Sequence, residues 1–105
     1  MDYIDIGSVP SGEDCAQVGT EGYFEKGNKE CRAFLNQLRR QFGVEPLGAR
    51  LKIKTNQHDF GPYQEVVCCY DENNQAAANY ALKLESEMPE HWDEESLREL
   101  KLVQL

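Results

Sequence analysis

Four cysteines, two histidines and nineteen carboxylates are the groups of this 105-residue chain that could do chemistry. The stretch TNQHDFGPYQEVVCCYD, residues 55–71, gathers the most suggestive of them: His58 beside Asp59, then the adjacent Cys68 and Cys69. A cysteine–histidine nucleophile needs the imidazole within hydrogen-bond reach of the sulfur, plus an oxyanion donor. A zinc site needs spaced ligands, such as C-x2-C or H-x3-H. Neither requirement is met if 55–71 is part of a hairpin. His58 then sits at the tip, and the two thiols lie far down the returning strand, pointing to opposite faces. His91, the other histidine, has no second ligand at helical spacing.

The remaining chemical motifs are weak. Residues 7–19, GSVPSGEDCAQVG, are rich in turn formers but lack both the closing Gly-Lys-Ser/Thr of a phosphate loop and the tight G-x-G-x-x-G of a dinucleotide fold. Cys15 in that loop is a third candidate nucleophile, beside Asp14, whose carboxylate would raise its pKa. Asp59-Phe60-Gly61 spells a kinase triplet with nothing else of the kinase signature around it. Asn56, Asp59, Gly61 and Pro62 serve equally well as turn residues. No catalytic residue, metal or cofactor is therefore expected.

The elements that position these groups can be read from periodicity. Residues 2–6, Asp-Tyr-Ile-Asp-Ile, alternate as a short strand does. From Thr20, a plausible N-cap, to Phe42 the residues Phe24, Cys31, Leu35, Leu38 and Phe42 recur at helical spacing, and Gly43 and Pro46 supply the stop. Residues 48–55 and 63–71 read as paired strands. Leu51 set against Val66 places Ile53 opposite Gln64, Lys52 opposite Glu65 and the turn between His58 and Asp59. The apolar run from Val66 to Tyr70 suits a central strand. Asn73 or Asn74 can cap a second helix bearing Ala77, Tyr80, Ala81, Leu84 and Met88, ended by Pro89. Asp93 can cap a third, with Trp92 and Leu97 as a hydrophobic staple. The last residues, LKLVQL, fit a helix or an edge strand equally.

The fold class is thus α+β, one domain over residues 1–105. An antiparallel sheet with a central β-hairpin carries two main helices on one face, in the order β-α-β-β-α. A short C-terminal helix follows, with a mobile tail at 102–105. The arrangement is ferredoxin-like or a truncated variant of it.

Charge is segregated along the chain. Residues 1–25 hold six acids and no base, residues 26–54 hold eight bases against Glu30 and Glu45, and residues 55–105 hold eleven acids against three bases, for a net charge of −8. Two readings follow. The basic middle is neutralised internally by its flanks, or it forms a face for an anionic partner. No run of about 18 apolar residues exists, so no membrane span or membrane partner is expected. Met1 to Ile6 has neither the basic cluster nor the apolar run of a secretory leader. With four cysteines this suggests reduced thiols and a cytoplasmic location.

The segments YIDIG, EDCAQVG, HDFGPYQEVV and YALKLE resemble small bacterial proteins of unknown function, some encoded among accessory genes of plasmids and phages. That resemblance implies an accessory or interaction role and transfers no activity to any residue. The leading expectation is a small acidic domain that binds another protein. Its contact residues would be His58, Asp59 and Phe60 at the tip with Tyr63 beside them. The alternative is single-stranded nucleic-acid binding through a basic sheet face, where Arg50, Lys52 and Lys54 share a side with Tyr63, Val67 and Cys69. A thiol-dependent enzyme using Cys15 is the third reading.

Overall fold

Leu51 and Ile53 alternating with Arg50, Lys52 and Lys54 give one strand an apolar side and a basic side. A computed structural model, which describes residues 2–6, 23–59 and 61–104, folds the strand so that the apolar side meets the helices. The order is β1 (Asp2–Asp5), α1 (Tyr23–Phe42), β2 (Ala49–His58), β3 (Gly61–Tyr70), α2 (Gln75–Ser86) and α3 (Glu94–Gln104). The sheet order is β1-β3-β2, with β3 antiparallel to both neighbours. The apolar run of β3 is therefore central, as its sequence implies, and β1 and β2 run parallel on either side of it. This is the split β-α-β core of a ferredoxin-like arrangement. The C-terminal segment, however, is helical through Gln104, and α3 packs on α1 rather than on the sheet.

Both β strands extend further toward the hairpin tip than their alternation suggests, and the register differs by two residues from the sequence expectation. Leu51 pairs with Cys68, Ile53 with Val66, Lys52 with Val67 and Lys54 with Glu65, and the turn centres between Asp59 and Phe60. A shift of two leaves every side chain on its expected face, because strand side chains alternate with period two.

The core lies between the sheet and the first two helices. Leu51, Val66 and Cys68 meet Cys31, Phe34 and Leu38 of α1 and Ala81 and Leu84 of α2, all buried. Phe34, absent from the stripe read in the sequence, is fully enclosed and takes Trp92 edge-on at 6.2 Å between ring centroids. Burial of each large side chain here contributes about 1.5–3 kcal/mol. Leu97, the other half of the expected staple, stays 43% exposed, whereas Trp92 packs its ring on Phe34.

The helix boundaries follow their caps. Gly43, at φ 85, ends α1 with its N–H on the Arg39 carbonyl. Asn74 caps α2 by accepting the Ala77 N–H, while its own amide donates to the Leu47 carbonyl. Helix α2 stops at Ser86, three residues before Pro89, and Met88 packs half-buried against the core from outside the helix. Asp93 caps α3 by accepting the Ser96 N–H at 2.8 Å. The proposed cap Thr20, the loop 7–19 with Cys15, and Phe60 lie outside the described residues, as do the side chains of Phe24, His58 and Tyr63.

Helix α1 also buries a second, polar side. Gln37 is fully enclosed; its amide donates to the His91 carbonyl at 2.9 Å, and its oxygen accepts the Asp93 N–H. Arg40 forks onto Asp93 and donates to the Ser96 hydroxyl, and Asn36 donates to Glu99. These contacts fix α3 as an outer layer and leave the far face of the sheet uncovered by any described helix.

Candidate interaction surface on the open sheet face

The strand register determines what the uncovered face displays. Arg50, Lys52 and Lys54 of β2 share a side with Val67 and Cys69 of β3 and with Tyr3 of β1, which pairs with Cys69. Arg50 and Lys52 are exposed, and Lys54 is half-buried with its ammonium 4.7 Å from the Tyr3 ring centre. That separation is within cation–π range. Tyr3, at 57% exposure, stands beside a shallow depression of about 250 Å³ lined by Tyr3, Lys52, Ile53, Lys54, Val67 and Cys69. Val67 forms its floor and is only 3% exposed although no described helix lies over it. Long lysine stems and the tyrosine ring can shield such an apolar floor while their polar ends stay in water.

The basic block of residues 26–54 divides between the two readings of its charge. Arg39 forks onto Glu45, with its Nη2 2.8 Å from Oε1, and Arg40 forks onto Asp93. Those two arginines are neutralised within the fold. Among the described residues neither Arg50 nor Lys52 forms an ion pair. Two carboxylate residues occupy strand positions on their face: Glu65, opposite Lys54, which accepts a hydrogen bond from Asn56, and Asp5 of β1, which pairs with Val67. The exposed acids Glu85, Glu87, Glu90, Glu94 and Glu95 belong to α2, α3 and the segment between them. A basic sheet face and an acidic helical layer therefore coexist in a chain of net charge −8.

Of the residues singled out in the sequence, Arg50, Lys52 and Lys54 come together here, and Tyr63 occupies a register position on the same face, opposite Asn56. The tip is separate. His58 pairs with Gly61 at the strand ends, and the exposed Asp59 stands in the turn beyond. Tyr3 and the buried Val67 complete the surface; the alternation of β3 already sets Val67 on this face, whereas nothing in the sequence singles out Tyr3. The alternation in Asp-Tyr-Ile-Asp-Ile already set Tyr3 and Ile4 on opposite sides. It could not say that β1 would lie against β3.

The Cys31 and Cys68 thiols are poorly disposed for nucleophilic chemistry. Cys68 pairs with Leu51, seven positions along β2 from His58, which is roughly 23 Å at ~3.3 Å per residue. Burial pushes both the Cys31 and Cys68 thiols up to about 11, with nearby carboxylates adding to the rise. A group held that high carries almost no thiolate near neutrality. Among the described residues no three His, Cys, Asp or Glu side chains converge as metal ligands would. No described helix is long and apolar enough to cross a membrane.

No protein-family model matches the chain, and comparisons with curated proteins and with solved structures give no match either.

Proposed function

We propose that this protein is a small non-catalytic binding module that docks a partner protein through the open face of its sheet. The observation that carries this reading is the row Arg50, Lys52 and Lys54, exposed or half-exposed beside Tyr3; among the described residues none of the three forms an ion pair of the kind that neutralises Arg39 and Arg40. Exposed cations around an aromatic and a shallow apolar floor suit recognition of a surface bearing carboxylates. The acidic helical layer faces elsewhere and keeps like-charged surfaces from approaching that side of the molecule. An interaction role in the cytoplasm is part of this reading. The hairpin tip, with His58, Asp59 and Phe60, is a secondary contact in this reading.

The test compares capture by the wild type with capture by a Lys52→Glu/Lys54→Glu variant. A charge reversal on α3, Lys101→Glu, serves as the control. The expected result is a partner retained by wild type and control but lost by the sheet variant. Equal recovery by all three would remove the face from consideration.

Single-stranded nucleic acid is the second reading, favoured by the stacking of Lys54 on Tyr3. Cations beside an aromatic platform are what such ligands use. A labelled oligothymidylate titration at ~50 mM salt, where phosphate contacts are strongest, tests it, and absence of binding there eliminates it.

A further inference from the structure

We propose that the free edge of β2 between Ile53 and Gln57 takes up an extended acidic segment of a partner protein as a fourth strand. This rests on the docking role of the sheet face and specifies how the partner would be held.

Two sets of hydrogen bonds fix the direction of every backbone group along β2. On one side of β3, the Ile6 N–H donates to the Val66 carbonyl, so Val66, Cys68 and Tyr70 direct their backbone groups toward β1. Their neighbours Glu65, Val67 and Cys69 must then serve β2, through Lys54, Lys52 and Arg50. The Asp71 N–H donating to the Gly48 carbonyl continues the same phase. Leu51, Ile53, Thr55 and Gln57 consequently direct their N–H and C=O groups away from the sheet. The outward Leu51 N–H confirms this, because it is met by the carboxylate of Glu45 at 3.1 Å.

That cover stops beyond Leu51 among the described residues. Among the described residues no strand pairs with the outer edge of β2, and Thr55 and Gln57 are exposed. Ile53, Thr55 and Gln57 thus offer an alternating row of donors and acceptors long enough for a strand of about five residues. Charge identifies the occupant. An added strand would place alternate side chains beside Lys52 and Lys54, on the open face. Acidic residues at those positions would form cross-strand pairs, whereas two copies of this chain joined edge to edge would set one lysine row against another. The chain's own Glu45 already supplies a carboxylate to the start of this edge. Main-chain pairing would provide affinity, and the lysines and Ile53 would select the segment.

The test uses a labelled peptide of about ten residues alternating Glu and Thr, titrated by fluorescence anisotropy at low salt. Binding to the wild type is expected. So is a loss of about tenfold or more with Lys52→Glu/Lys54→Glu, and a similar loss with Thr55→Pro, which removes an outward N–H while sparing the bonds to β3. Circular dichroism checks that Thr55→Pro remains folded. A peptide N-methylated at alternate residues keeps its charge but cannot pair, and should fail to bind the unaltered protein. No binding of the parent peptide overturns the proposal, as does a dimer formed through this edge. Undiminished binding of the methylated peptide, with loss in the lysine variant, overturns strand addition while leaving the docking face intact. Preference for oligothymidylate over the peptide overturns the assignment of an acidic protein segment.

Discussion

The side-chain oxygen of Gln37 accepts the backbone N–H of Asp93 at 3.0 Å, joining the middle of α1 to the cap of α3. The same amide group donates to the His91 carbonyl, so one enclosed glutamine satisfies two backbone groups of the α2–α3 connection. Replacing it leaves both without their partner. Gln37→Ala should cost about 2–4 kcal/mol, from unsatisfied polar groups and the cavity left behind. Urea denaturation would measure it, with amide exchange rising first in α3. A loss under ~0.5 kcal/mol would mean that water replaces the side chain without penalty.

Acid should loosen the loop after α1. Burial alone would raise the Glu45 carboxyl, but the Arg39 fork and the Leu51 N–H outweigh it and hold the group below its ordinary 4.5. For Asp93, burial is likewise outweighed by Arg40 and Ser96, and the pKa falls below 3.8. A carboxyl depressed in the folded state makes the unfolded chain bind more protons as the pH drops. This stabilisation is present above about pH 4.5 and disappears as the pH falls through the folded-state values. Thermal midpoints recorded between ~pH 7 and ~pH 3 should decline in that acid window, and Glu45→Gln should flatten the decline. Parallel curves for variant and wild type would contradict the assignment.

Two glycines with similar backbone angles should respond differently to the same substitution. Gly43 has φ 85 and open space where a Cβ would stand, whereas Gly48 has φ 91 and would place that carbon 2.8 Å from Asn74 Nδ2. Gly43→Ala should cost about 1 kcal/mol for the backbone alone. Gly48→Ala should cost about 2–3 kcal/mol, because Asn74 must also yield its place between Leu47 and the start of α2. Equal losses in a denaturant titration would show that Asn74 moves aside freely.

Thiol reactivity should follow burial. Iodoacetamide at about pH 8, with modified sites mapped by mass spectrometry, should label Cys69 before Cys31 or Cys68. The latter two are enclosed and hard to ionise. Labelling of Cys68 at the rate of free cysteine would mean that the strand core opens readily.

Periodicity and capping chemistry in the sequence determined the element order, the placement of α1 and α2 on one side of the sheet, the central position of β3 and the caps Gly43 and Asp93, while leaving the cap of α2 open between Asn73 and Asn74. Each rests on residues within a few positions of one another, where spacing alone carries the information. The alternation of β2 also determined that Arg50, Lys52 and Lys54 share a face. It could not set the register, because a two-residue slip leaves a period-two pattern unchanged. Only tertiary packing placed Leu51 on Cys68, brought Tyr3 beside Lys54 and enclosed Gln37 between helices. Those contacts join residues far apart in the chain, and a glutamine that will be buried has the same local signature as one left in solvent.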